Sequence, residues 1–181
     1  MNKGTYFCHP KSVEWYTPPW IFSTLGLDFD LDPCSPVDGP VTPAGHHFTA
    51  HDDGLSREWF GMVWLNPPYG KETGKWLNRM SLHNRGVALI YARTETEFFH
   101  RYVWTCASGV FFFRGRLHFI GADGEVSLRN AGGPSCLVAY GQKAHDSLSA
   151  FPARGKFINP SARVGRHKSE NESIPAGGFR G

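Results

Sequence analysis

The chain is expected to fold as an α/β protein built on a mainly parallel sheet, with an antiparallel edge late in the sequence. Strand-like and helix-like segments alternate through its middle, and strands follow one another near its end, the order such folds require. The run "GVALIYA" (86–92) is apolar almost without a break, as expected of a strand covered on both faces. In "KETGKWLNRMSLHN" (71–84), Trp76, Leu77 and Met80 fall on one helical face.

From the start, "TPPWIFSTLGL" (17–27) reads as a short helix, with Thr17 as N-cap, prolines in the first turn and Gly26 as the stop. "FDLDP" (29–33) alternates and ends at proline, which gives a short strand. Residues 35–56 are dominated by turn formers and predict a long, mostly irregular connection. "GMVWLN" (61–66) is a strand, then come the helix over 71–84 and the strand over 86–92. "TETEFFHRYVWTCA" (94–107) opens with Thr94 and, three residues later, Glu97, a capping pattern that predicts another helix. "GVFFFR", "RLHFIG" and "SCLVAYG" are three further strands. The domain organisation expected is an N-terminal segment 1–11, one folded domain 12–150, and a basic, flexible tail 151–181 rich in Gly, Ser, Asn and Pro.

With 40% hydrophobic and 19% charged residues the composition fits a globular fold and argues against wholesale disorder. The apolar runs are too short to cross a bilayer, and "MNKGTYFCHPKSVEW" has no signal core, so a cytoplasmic place is expected. Cys8, Cys34, Cys106 and Cys136 are widely spaced, and His46, His47 and His51 lack helical ligand spacing, so neither disulfides nor a metal are expected. The net charge of +3 is uneven: residues 154–181 carry +4 and residues 1–153 carry −1. A polyanion such as nucleic acid is therefore a plausible partner.

The stretch "WLNPPYG" (64–70) carries the chemistry. Two prolines surrender two backbone donors and fix φ at both positions, a costly way to end a buried strand. In return the turn is stiff. The side-chain carbonyl of Asn66 and the carbonyl of Pro67 can accept both hydrogens of one amino group, and Tyr69 offers a flat face for a ring. Such a clamp suits the exocyclic amine of adenine. In a parallel sheet ligands bind beyond the carboxyl ends of the strands. "DLDPCS" and "WLNPPYG" both lie at such ends, so one crevice should hold both.

At these residues the chain resembles the S-adenosylmethionine-dependent amino-methyltransferases, which carry (D/N/S)-P-P-(Y/F). It is most similar to the small phage-type DNA N6-adenine methyltransferase (Dam) family. The strings that match, in order, are "EWYTP" (14–18), "DLDP" (30–33), "DDGLSREW" (52–59), "WLNPPYG", "RTETEFF" (93–99), "GRLHF" (115–119) and "PSCLV" (134–138). The resemblance covers roughly residues 14–141. It implies an abridged Rossmann-like methyltransferase fold, because the Gly-rich continuation after "DLDPCS" is missing and only a short stretch separates Pro33 from Asn66.

The resemblance also implies roles. Asn66, Pro67, Pro68 and Tyr69 would form the catalytic clamp. Thr17, Pro18, Asp32, Pro33, Cys34, Asp53 and Leu55 would bind S-adenosylmethionine, with Asp53 reading its adenine amine and Asp38 a candidate for its ribose. Lys71, Arg93, Arg114 and Arg116 are nominated for DNA, although an arginine's ordinary role is a solvated or ion-paired surface residue. Trp15 could line the cofactor pocket or pack in the core. The expected activity is methyl transfer to the adenine amine in DNA, with the target base flipped out or single-stranded. Two alternatives share the sequence features: an N-methyltransferase for another planar amine (cytosine N4, RNA guanine or protein glutamine), and a nucleic-acid-binding protein that has lost catalysis.

Overall fold

The computed structural model describes residues 16–38, 42–121 and 132–160. A single seven-stranded sheet organises them. In chain order the elements are α1 (Pro19–Leu25), β1 (Phe29–Asp32), β2 (Ala44–His47), β3 (Val63–Leu65), α2 (Thr73–His83) and β4 (Gly86–Tyr91). A π-helical segment (Phe99–Trp104), β5 (Gly109–Phe113), β6 (Ser135–Tyr140), α3 (Gln142–Ser149) and β7 (Gly155–Ile158) follow. The spatial order is β2-β1-β3-β4-β6-β5-β7. Strands β2, β1, β3 and β4 are parallel, and β6 then runs antiparallel to both β4 and β5. β5 therefore points the same way as β4, and β7 closes the edge antiparallel to it.

Alternation along the strands divides the core between the two faces. Val87 and Leu89 of β4 pack with Trp64, Leu137, Phe111 and the α1 residues Ile21, Phe22 and Leu25. Ala88 and Ile90 face the other way, onto Leu65, Val138, Trp76, Leu77, Met80, Phe99 and Val103. This is why "GVALIYA" carries no polar alternation: both sides of β4 are covered. The helix over 71–84 forms as expected between Thr73 and His83, and ends on Asn84 in the left-handed conformation.

Several local expectations are corrected. Helix α1 begins at Pro19 with Pro18 as N-cap and no side-chain cap, so Thr17 is not the cap; Gly26 does end the helix in the left-handed region. The stretch 35–56 contains β2, which pairs with β1 from Phe29↔Ala44 to Asp32↔His47. The strand was hidden because "AGHH" is an exposed edge with no apolar period. The Thr94–Glu97 cap does not form. Glu97 pairs with Arg101, and the next turn widens to a π-helix because side chains take its carbonyls. Thr105 Oγ1 donates to His100 O, Cys106 Sγ to Arg101 O, and Tyr140 OH to Tyr102 O.

The segment "RLHFIG" is not a strand of the sheet. Gly115 turns the chain at φ 92°, and Leu117 and Phe119 alternate because they bury against the α1 face. Its ladder is a single bridge, Tyr16↔Ile120. The domain does not close at 150: residues 155–158 form β7, where Phe157 packs on the core. A lone half-buried aromatic among exposed residues carries no strand period, which explains the expectation of a tail there. Residues 161–181, Trp15 and the N-terminal segment 1–11 lie outside the described residues.

Candidate active site

Strands β1 and β3 are neighbours with the same direction, so "DPCS" and "NPPYG" leave the sheet side by side. Between them lies a small depression open to solvent. Thr17, Asp32, Cys34 and Asn66 line it, all four anticipated, together with Tyr16, Pro36, Thr42 and Trp64. Thr17, freed from helix capping, is buried at its wall. Pro18, Pro33, Asp53, Leu55 and Tyr69, expected in the same crevice, are not part of its lining.

Asp32 is almost fully buried at the end of β1. Burial raises its carboxyl above the ordinary range, and hydrogen bonds from Thr42 and Cys34 pull it back. Thr42 Oγ1 donates to Oδ2 at 2.5 Å, and the Cys34 N–H donates to Oδ1 at 3.0 Å. Ser35 Oγ is buried beside this carboxyl, close enough to influence it but without a properly formed hydrogen bond. Cys34 is a neutral thiol: burial, reinforced by the Asp32 charge, pushes it up to about 12. It lines the site and cannot serve as a nucleophile near neutral pH.

"DDGLSREW" folds onto "DPCS" through a glycine. A Cβ on Gly54 would sit 1.9 Å from the Pro33 carbonyl oxygen, so only glycine lets the two motifs touch. Trp59 fixes the loop by donating its indole N–H to Gly54 O at 2.7 Å. Asp52 is committed to the loop itself, accepting from Thr49 N and Oγ1, both at 2.9 Å. Asp53 is exposed in the left-handed conformation at φ 50° and holds no side-chain bond within the described residues. Leu55 is half-buried and packs against the core on the α2 face of the sheet. Asp38 is exposed and outside the lining.

The clamp is tied down from the α2 side by a residue that the sequence did not single out. Thr73 Oγ1 donates to Pro68 O at 2.9 Å and accepts from Gly70 N at 3.1 Å. Of the two proline carbonyls, that of Pro67 is thus the one left open. A threonine opening the helix three residues after "YG" was the available signal, of the kind that caps helices. The Tyr69 ring stacks on Tyr91 with centroids 4.0 Å apart and 22° between planes. Its hydroxyl donates to Asn66 Oδ1 at 3.2 Å. Burial, with Tyr91 and Cys136 nearby, raises the phenol further, so it remains a donor. One face of Tyr69 is therefore covered by Tyr91, a pairing the sequence did not suggest.

Lys71, Arg93, Arg114 and Arg116 are all exposed, and all lie at the crevice end of the sheet. Among the described residues no group of three His, Cys, Asp or Glu could hold a metal ion, the three described cysteines are free, and no helix is long and apolar enough to cross a membrane. The sheet, parallel through its first half, is consistent with a methyltransferase fold. A family model described as DNA N-6-adenine-methyltransferase (Dam) matches residues 7–153. No curated protein and no solved structure matches the chain.

Proposed function

The chain belongs to the DNA N-6-adenine-methyltransferase (Dam) family and is a DNA adenine N6-methyltransferase, and from that premise we propose which residues perform the reaction. The carrying observation is the single depression that joins Asp32, Thr17 and Cys34 to Asn66. An acidic, hydrogen-bonding half and an amide clamp meet there, as a reaction between two bound partners requires.

The first half fits S-adenosylmethionine. The Asp32 carboxylate keeps lone pairs beyond its two internal bonds, and Trp64 and Pro36 supply apolar wall. Thr17, Pro18, Asp32, Pro33 and Cys34 would bind this cofactor, with Asp53 and Leu55 at its adenine end, where Asp53 has its carboxylate free. Bound there, S-adenosylmethionine supplies an electrophilic methyl group. The fold is an abridged Rossmann-like one. Between Asp32 and Val63 the described residues hold one edge strand and no helix, so loop contacts, Gly54 on Pro33 above all, replace a full strand–helix unit.

In the second half Asn66 Oδ1 and the Pro67 carbonyl accept the two hydrogens of the adenine amine. Drawing both N–H bonds into acceptors favours the pyramidal amine, whose lone pair would take the methyl as its bond to sulfur breaks, with S-adenosylhomocysteine leaving and the surplus amine proton passing to solvent. The target base leaves the duplex to reach them, because its amine is otherwise paired. Tyr69 stacks on the extruded base with the face that Tyr91 leaves open. Its hydroxyl, which holds Asn66 Oδ1 in the free protein, keeps the carboxamide oriented until the amine competes for the same oxygen. Pro68 stiffens the turn. Thr73 holds it to α2.

Tritiated methyl transfer to unmethylated DNA, followed by nucleoside analysis, tests this assignment. Label in N6-methyladenine that disappears in Asn66→Ala, while that variant still binds S-adenosylmethionine, is the expected result. Undiminished transfer by Asn66→Ala would overturn it.

A further inference from the structure

At the crevice end of the sheet, β5 and β7 bring like charges together. Their pairing runs from Val110↔Ile158 to Phe113↔Gly155 and continues one step further, with Arg114 N donating to Arg154 O at 2.9 Å. Arg114 and Arg154 are therefore opposite one another, with Cβ atoms about 5 Å apart, a placement that destabilises a sheet when the charges match. Lys156 lies two residues along β7, opposite Phe112. Phe111, Phe113 and Phe157 turn into the core on the α1 face, while Phe112 packs on the other. Alternation then sets Arg114, Arg154 and Lys156 on one common face. All three are exposed. Among the described residues none has a carboxylate within ion-pair distance.

An uncompensated cluster of cations at a strand pair costs stability unless an anion joins it. Because β5 points the same way as β3, the cluster sits at the same end of the sheet as Asn66. Three to four strand spacings separate the two, roughly 14–19 Å. Along B-form DNA that span is roughly four to six base pairs at 3.4 Å per step. We infer that Arg114, Arg154 and Lys156 form a phosphate-binding edge that grips the DNA backbone several base pairs from the flipped adenine. This deepens the function above and rests on its DNA substrate. It also gives a role to residues 154 and 156, which the sequence placed in a flexible tail.

The test is the salt dependence of binding to a short adenine-containing duplex, measured with the full chain. Lys143→Gln is the control. It removes one charge from the first turn of α3, at the opposite end of the sheet, because Tyr140 pairs with Gly86 at the start of β4. For every phosphate that a variant no longer neutralises, the slope of log K against log salt should flatten by about 0.9. The combined Arg114→Gln, Arg154→Gln, Lys156→Gln variant should thus lose between about 1 and 3 in slope, and Arg154→Gln alone about 1. Relief of the like-charge pair should leave the melting temperature of Arg154→Gln at or above that of the wild type. A triple variant whose slope matches that of Lys143→Gln overturns the edge, and leaves the function standing if the wild type still produces N6-methyladenine. A wild type that neither binds nor methylates DNA overturns both.

Discussion

The two halves of the crevice are built to different standards. The amine clamp follows β3, whose three residues are all buried between β1 and β4, and it is stiffened by two prolines and stapled by Thr73. The proposed cofactor half follows β1 as well, but the rest of its lining there, Cys34, Pro36 and Thr42, comes from loops. It is held by single contacts: Thr42 to Asp32, Gly54 to Pro33, Trp59 to Gly54. The difference teaches where geometry matters most. The proposed amine acceptors, which would need to hold their geometry within tenths of an ångström, stand near the sheet's centre. The proposed cofactor half, which would admit and release its ligand at every turnover, rests largely on loops.

Four changes would break or sharpen this contrast. The largest effect belongs to the clamp. Asn66→Ala should lower kcat by roughly 10²–10³-fold, the usual toll for one preorganised polar group, with an unchanged melting temperature; steady-state methylation and thermal unfolding read the two. Gly54→Ala comes next, because its Cβ must displace the Pro33 carbonyl. It should cost about 1–3 kcal/mol of stability and weaken S-adenosylmethionine binding, as read by calorimetry, with little change in kcat at saturation. If kcat falls instead, the halves are not separable.

Asp32→Asn should weaken cofactor binding by roughly ten- to a hundredfold, the worth of a charged hydrogen bond. Its stability effect has the opposite sign. Burial raises the Asp32 pKa above its unfolded value, so the folded state carries no penalty at low pH. The penalty appears as pH rises through the unfolded value towards the folded one, and persists above it. The asparagine variant should therefore gain stability relative to wild type at neutral pH and lose that gain in acid, in a pH series of thermal melts. The smallest effect is expected of Tyr69→Phe, which removes one hydroxyl from Asn66 but keeps the stack on Tyr91. A change of about threefold or less in KM for DNA, corresponding to a net hydrogen bond at the weak end, would place the phenol in an orienting role; a collapse of kcat would make it part of the chemistry.

Much of the site was legible because its signals are local. Asn66 through Tyr69 announce a rigid strand-ending turn, and the apolar run over 86–92 announces a strand with two covered faces. Helix α2 follows from Trp76, Leu77 and Met80 at helical spacing. The elements that were missed lack such periods. Strand β2 reads "AGHH" and β7 reads "GKFI", each with little buried surface, so their only evidence as strands is the neighbour they pair with. The "RLHFIG" segment fails in the opposite direction: it has a strand's alternation without a strand's partner in the sheet.

By itself the sequence determined an α/β fold with a sheet parallel in its first half, the placing of two motifs at strand ends, and the stiff turn from Asn66 to Tyr69, since turn chemistry and hydrophobic period act within a few residues of each other. Only the tertiary structure decided that Gly54 lies on Pro33, that Thr42 reaches Asp32, that Tyr91 covers one face of Tyr69, and that Arg154 stands opposite Arg114. Those contacts join segments 10 to 40 residues apart in the chain. Which distant segments meet depends on how the whole sheet packs, and no local pattern encodes it.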